Sequence, residues 1–473
     1  MASIAVADPS LVAVAEIDRI FEAQRENRGR IAATTADERR RKIRRLEHAM
    51  MARREEIRAA MWADFHKPPE EVDLSEIYQV LGEARHAAKH VARWMKARRV
   101  GTPLAHFGSS SRIVYEPKGV VLIIAPWNFP FNLSLGPVIS AIAAGNCVVL
   151  KPSELTPKAS ACMKRLLGEL FEGNEVAVVE GDARVAEALL RKRFDHVFFT
   201  GGPAIGKLVM KAAAEHLTSV TLELGGKNPV IVDRTADLDG AARKIAWGKL
   251  FNSGQSCVAP DYLLIDEAVR ASFIEKLRDQ LRSMEGEGSR GVIVNERHGA
   301  RLRSLCESAV AAGAEVITGG SFGSDVRAIP PTVLGKVSPD SAIMKEEIFG
   351  PVLPMLTYRN LDEAIAFVRE REKPLTVYLF SRSRDTIRAV EARTSSGAMV
   401  VNHTVVHFSQ INLPFGGVGD SGFGKGHGFY GFQAFSNLRA VLVQRMPLSP
   451  TELMFPPYTK FKRKLIELTL KYF

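Results

Sequence analysis

One cysteine of the four in this chain stands in a setting suited to reaction. Cys257 lies in FNSGQSCVAPD, after Gly254, Gln255 and Ser256 and before Pro260, a pattern that reads as a loop leading into a strand. A thiol there can be exposed, and a cysteine of ordinary pKa about 8.5 is partly thiolate near neutral pH and intrinsically nucleophilic. Cys147, Cys162 and Cys306 sit inside strand or helix patterns and read as small core hydrophobes. No CxxC pair occurs, which argues against a structural zinc site and a disulfide framework, so no metal is expected. Glu223, in LELGGK, sits at a strand end before two glycines, where backbone approaches closely and a carboxylate can face a cleft. Asn128, in PWNFP, occupies a loop at a strand's carboxyl end, where open α/β sheets bind ligands and an amide can donate to a developing oxyanion. Taken singly, that Glu reads more readily as a surface or salt-bridged residue and that Asn as a turn residue between prolines.

Two more clusters point to a nucleotide. In FFTGGPAIGK, Gly201 and Gly206 flank four residues between a strand and a helix, a turn that presents helix N-terminal amides to a phosphate. In KPSE, Lys151 and Glu154 follow strand CVVL and either bind ribose hydroxyls or form a surface ion pair.

The elements that carry these residues alternate. Residues 10–100 read as helices, with Ile43, Leu46, Met50, Ile57 and Met61 on one face of a 3.6-residue period. From Gly119 to Val232 strands VVLIIA, CVVLK, VAVVE, HVFFT and NPVIV alternate with helices, the βαβ pattern of a doubly wound parallel sheet. A second α/β block spans about 240–405, with a junction near 222–240. The 32 residues Gly119–Leu150 carry no charge and are long enough to cross a membrane. Pro126, Pro130 and Pro137 divide the run, and Asn128, Asn132 and Asn146 would need partners in lipid, so strand, loop, helix, strand is the better reading.

The chain has 473 residues, 46% hydrophobic and 25% charged, values of an ordinary globular protein rather than a disordered or fibrous one. Its net charge of +11 raises nucleic acid as a partner, but the basic run ERRRKIRR lacks interleaved aromatics and reads as a solvated helix face. The N-terminus has no basic n-region and does not read as a signal peptide. The last eighteen residues, PPYTKFKRKLIELTLKYF, carry +4 of the charge, and Phe461, Leu465, Leu468 and Phe473 fit one helical face.

In sequence order these clusters, together with EEIFGP (346–351) and LPFGGVGDSGFG (413–424), resemble the aldehyde dehydrogenase superfamily over about residues 10–445. FNSGQSCVAPDYLL, TLELGGKNPVIV and the basic C-terminus look most like its class 3 branch, which includes fatty aldehyde and coniferyl aldehyde dehydrogenases. The resemblance implies an α/β, aldehyde dehydrogenase-like fold: two doubly wound open-sheet domains plus a small oligomerisation arm. Residues 1–222 would form the dinucleotide-binding domain, with arm strands near 103–117, and 223–415 the catalytic domain. Residues 416–445 would be a return segment with an oligomerisation strand, and 446–473 a basic amphipathic extension. It implies Cys257 as nucleophile, Glu223 as general base, and Asn128 with the Cys257 amide as oxyanion hole. Lys151 and Glu154 would contact the adenosine ribose, Gly201 and Gly206 bracket the pyrophosphate turn, and Glu347 hold the nicotinamide ribose, with Phe349 and Trp127 beside the cofactor. Gly202–Pro203 replaces the usual Ser-Thr after Gly201, and Ser256 stands where Thr is common. The expected activity is oxidation of a medium- or long-chain aliphatic or aromatic aldehyde to the acid, with NAD and possibly also NADP. A cytoplasmic homodimer is expected, with no nucleic acid partner and at most peripheral membrane contact through the C-terminal segment, which otherwise caps the substrate funnel. A CoA-acylating semialdehyde dehydrogenase and a non-catalytic binding protein that kept the fold are the rival readings.

Overall fold

The computed structural model describes residues 9–472 except 287 and 448. Three sheets organise them. The first has the strand order Gly422–Phe423, Ser219–Leu224, His196–Gly201, Val120–Ile124, Cys147–Lys151, Val176–Val178. Its pairs are parallel except the short outer one, where Gly422 sits opposite Glu223. The uncharged run folds within it as strand Val120–Ile124, helix Pro130–Ala144 and strand Cys147–Lys151, with both strands wholly buried. No described helix is long and apolar enough to cross a membrane.

The second sheet runs Glu315–Thr318, Thr332–Gly335, Val352–Tyr358, Tyr262–Asp266, Pro229–Val232, Thr376–Phe380, Ala398–Val401, parallel except for its first pair. The chain passes between the sheets at the four residues 225–228, since strand Ser219–Leu224 still belongs to the first. The third sheet joins Arg98–Val100, Ser109–Pro117 and Ser436–Gln444 antiparallel, with the last as an outer strand.

The helical face read over 43–61 is two helices, Ala36–Ala52 and Arg54–Phe65, which bury Ile43, Leu46, Met50, Ile57 and Met61 in one core. A capping box between Thr35 and Glu38 fixes the start of the first. The basic run above them is not wholly a solvated face. Arg39 is buried and donates to the carbonyls of Ala143 (3.0 Å) and Ala32 (2.9 Å), while burial depresses its pKa to about 10. Further on, a wide π turn at Asp73–Ile77 opens the helix that continues through Tyr78–Trp94. The extra residue per turn lets three neighbours, Ser75, Glu76 and Ile77, face inward together.

The C-terminal helix Lys460–Tyr472 packs against the turn Pro450–Met454. The expected apolar face is not covered as a unit: Leu465 is half-buried, but Phe461 and Leu468 are exposed, as is Leu470. Phe473 lies outside the described residues.

Candidate active site

Cys257 follows the short turn Phe251–Gly254, in which Asn252, Ser253 and Gly254 all take left-handed backbone angles (φ 51°, 52° and 73°). Gly254 alone takes these without strain, and a Cβ on it would stand 2.3 Å from the Gly350 carbonyl oxygen. The two strained residues are held by bonds on both sides, as such conformations require. The Asn252 amide donates to Glu71 (2.6 Å) and the Ser253 hydroxyl to the Gly291 carbonyl (2.6 Å). Gln255 is clamped likewise: its Nε2 donates to the Asn252 and Val292 carbonyls and its Oε1 accepts from the Val294 amide at 2.9 Å. Cys257 itself is half-buried, and burial with two nearby carboxylates, Glu347 and Glu223, pushes its pKa up. The other three cysteines are buried in separate hydrophobic cores.

Asn128 is brought to this loop. Its Nδ2 donates to the Gln255 carbonyl at 3.0 Å, and its own carbonyl accepts from Asn252 Nδ2 at 2.8 Å and Lys67 Nζ at 3.1 Å. An amide nitrogen carries two protons, so one remains for a ligand beside Cys257.

Glu223 enters from the first sheet, where it is buried with Oε1 lacking any hydrogen-bond partner. Burial raises its pKa to about 8, Lys425 opposes that shift and the nearby Glu83 adds to it. Gly426 makes room for the carboxylate, since a Cβ there would lie 2.6 Å from Oε1. The recess in front of it is also lined by Thr200, whose hydroxyl is likewise unpartnered, and by Ser140, Glu83 and His427. An unpaired buried oxygen costs about 1–3 kcal/mol, which marks this pair as a place for water or substrate rather than packing. Joining that recess is an apolar funnel of about 770 Å³, lined by Tyr78, Phe129, Leu133, Trp247, Phe251 and Phe408 together with Cys257.

A separate open cleft of about 1400 Å³ is lined by Pro203, Gly225, Gly226, Lys227 and Glu347. Glu347 is pressed onto Gly225, where a Cβ would fall 2.1 Å from its carboxylate, and the neighbouring Gly226 amide favours its charged form. Its pKa is raised to about 8 by burial, with Asp261 adding to the effect. The backbone around it is pinned: Arg301 donates to the Glu347 carbonyl (3.1 Å), and the Ile348 amide donates to Asp261 (3.0 Å). Phe349, with a left-handed φ of 53°, meets Trp127 edge to face at 5.3 Å. Helix Pro203–Ala214 begins at the cleft with Pro203 as its first residue, where the lost N–H is not missed. Gly201 ends the preceding strand. Gly206 lies one turn inside the helix, and a Cβ there would come within 2.8 Å of Leu224, so its smallness lets helix and strand approach. Lys151, buried at its strand end, pairs with Glu154 at 2.7 Å, while the Glu154 side chain is partly exposed.

The structure thus gathers Cys257, Asn128, Glu223 and Glu347 round one centre, while Lys151, Glu154, Gly201 and Gly206 stand on the first sheet's strand ends and turn. The sequence reading passed over Lys67, Glu76, Glu83, Asn252 and Lys425. Asn252 lay inside a quoted motif, FNSGQSC, and Lys425 directly follows another, LPFGGVGDSGFG; Lys67, Glu76 and Glu83 carry no local signal and are distant in sequence from the thiol.

Comparison with known proteins adds four findings. The family model described as the aldehyde dehydrogenase family matches residues 3–441. The chain is 44% identical to 4,4'-diaponeurosporen-aldehyde dehydrogenase of Staphylococcus aureus over 430 residues, 90% of this chain and 93% of that protein. It is 42% identical to the rat "aldehyde dehydrogenase, dimeric NADP-preferring" over 395 residues, 82% of this chain and 86% of that one. The solved structure of the substrate-bound state of Staphylococcus aureus AldH superposes with a TM-score of 0.91 at 41% identity, covering 96% of this chain and 99% of that chain.

Proposed function

The chain belongs to the aldehyde dehydrogenase family and is an oxidoreductase acting on aldehydes; from that premise we propose that it oxidises medium- or long-chain aliphatic, or aromatic, aldehydes to carboxylic acids with NAD(P). The observation that carries this reading is that Cys257 lines an apolar funnel, with the Asn128 amide bonded to its turn at Gln255 and the buried Glu223 carboxylate close by in the joining recess.

Cys257, held as a thiol at rest by burial and the two carboxylates, releases its proton to water as its sulfur adds to the aldehyde carbon and the carbonyl electrons move to oxygen. The free Asn128 amide proton and the Cys257 backbone amide hold that oxyanion; one such donor is worth roughly 2.7–4 kcal/mol. When bound, the nicotinamide cofactor supplies the acceptor for the hydride, and what remains on the chain is an acyl thioester at Cys257. Glu223 takes a proton from water as the water oxygen bonds to the acyl carbon; the thiolate leaves and the acid is released. Release to coenzyme A needs no water-activating carboxylate, so Glu223 favours hydrolysis over CoA acylation.

The cleft suits a dinucleotide. Gly225 and Gly226 leave backbone open beside Glu347, and a helix N-terminus faces the same space for a pyrophosphate. Glu347 would hold the nicotinamide ribose, with Phe349 and Trp127 beside it. Lys151 and Glu154 would hold the adenosine ribose. Glu154 favours NAD, since a carboxylate bonds a ribose 2′-hydroxyl and repels a 2′-phosphate; its partial exposure leaves room for NADP.

The name of the rat relative and the outer strand Ser436–Gln444, which leaves Leu438 and Leu442 exposed, support a homodimer. We place the enzyme in the cytoplasm, with the C-terminal segment over the funnel and at most peripheral lipid contact. The test is a kinetic panel with NAD and NADP running from acetaldehyde through hexanal and dodecanal to benzaldehyde and coniferyl aldehyde. The expected result is kcat/KM rising with apolar size, and acid as product with or without coenzyme A. A best substrate of two carbons, or a product that appears only with coenzyme A, would overturn it.

A further inference from the structure

Lys67 and Glu76 form an ion pair at 2.7 Å in which both side chains are fully buried. The proposed chemistry uses neither. Stability does not account for them, because a buried pair loses about as much in desolvation as it regains and is often replaceable by apolar residues.

What they hold is specific. Lys67 Nζ donates to the Asn128 carbonyl at 3.1 Å, with its charge 4.3 Å from the centre of the Phe129 ring. The second oxygen of Glu76 accepts from the amides of Phe131 (3.1 Å) and Asn132 (3.0 Å), in the first turn of helix Pro130–Ala144. The pair therefore bridges the loop that carries Asn128, gripping a carbonyl on one side and helix amides on the other. Lys67 is itself on a fixed support: the Val292 amide donates to the Phe65 carbonyl at 3.0 Å, and the Val292 carbonyl accepts from Gln255, the residue whose carbonyl receives the Asn128 amide. Lysine, loop and thiol turn share one frame.

We propose that Lys67 is a positioning residue for the oxyanion site: anchored by Glu76, its ammonium fixes the Asn128 carbonyl and so aims the Asn128 side-chain amide at the oxygen bonded beside Cys257. This rests on the reading of Asn128 as oxyanion donor. A lysine needed only for folding would slow every variant alike. A lysine acting through Asn128 has nothing to aim once that amide is gone.

The experiment is a double-mutant cycle in rapid-mixing kinetics, reading the burst of reduced cofactor with a good aldehyde. The variants are Asn128→Ala, Lys67→Met and the two combined, with melting temperature and NAD affinity measured on each. Asn128→Ala should lower the burst rate by about 10²–10³-fold. Lys67→Met should lower it at least about ten-fold with NAD affinity unchanged, and the combined variant should be no slower than Asn128→Ala alone. Losses that multiply, or an unchanged burst in Lys67→Met, would overturn the proposal while leaving Asn128 in its role. An unchanged burst in Asn128→Ala would overturn both. Because Lys67→Met strands a buried carboxylate, Lys67→Met with Glu76→Gln is read in parallel and should show the same burst loss. Failure of both forms to fold would make the pair structural and would also overturn the proposal.

Discussion

Glu223 sits where a carboxyl keeps its proton. Burial raises its pKa from the ordinary 4.5 to about 8, against the pull of Lys425 and with the push of Glu83. A base of that pKa is roughly one-tenth ionised at pH 7, half at pH 8 and nine-tenths at pH 9. Thioester hydrolysis should therefore rise about five-fold from pH 7 to 8, then level off above pH 9. The assay separates two phases by rapid mixing: the burst of reduced cofactor reports thioester formation, and the later linear rate reports hydrolysis. The environment offers its own control. Lys425 Nζ is fixed by the Gly416 (2.5 Å) and Gly417 (3.1 Å) carbonyls, so its charge stands at a set place near Glu223. Lys425→Met removes a charge that favours the carboxylate and should move the limb to higher pH. Glu83→Gln removes one that disfavours it and should move the limb lower. A linear rate already flat above pH 6, or a limb that neither substitution moves, would refute the reasoning.

Other outcomes follow from the same geometry. Glu223→Gln should keep the burst while slowing the linear rate at least about 100-fold; equal loss in both phases would take Glu223 out of hydrolysis. The same variant bears on stability. A carboxyl whose folded pKa exceeds its unfolded value costs the fold stability as pH rises from about 4.5 to about 8. Glu223→Gln should then raise the melting temperature more at pH 8 than at pH 5, as calorimetry can read. Gly426→Ala should displace the carboxylate, given the 2.6 Å approach, and slow hydrolysis with the burst kept. Ending the chain before Pro456 should raise KM for dodecanal several-fold and leave that for hexanal nearly unchanged; unchanged long-chain kinetics would remove the C-terminal segment from the funnel.

Much of this fold was legible because its central strands are buried on both faces and read as unbroken apolar runs, as VVLII and CVVL do. The edges were not. Strand Glu315–Thr318 is short and half-exposed, and Gly422–Phe423 joins the first sheet only through pairing with a strand some two hundred residues earlier. The thiol, the amide and the general-base candidate lay in motifs whose glycines, prolines and order point to chemistry. Lys67 lay just before two prolines and Glu76 in helical sequence, and the two look like any solvated pair; only the wide turn at Asp73–Ile77, which no local pattern announces, faces Glu76 inward. Arg39 misled for the same reason, since one of several arginines in a row is buried by a helix a hundred residues away. At the C-terminus an amphipathic spacing was present, but the neighbouring turn covers only part of the expected face.

The central claim is that an acyl group passes through Cys257, and trapping that group tests it most directly. Glu223→Gln enzyme is mixed with dodecanal and NAD, quenched in acid at the end of the burst, digested and weighed by mass spectrometry. The expected result is a dodecanoyl group on the peptide containing Cys257, in amount matching the burst, and none when Cys257 is replaced by alanine. A burst with no acylated peptide, or with the acyl group on another residue, would contradict the account.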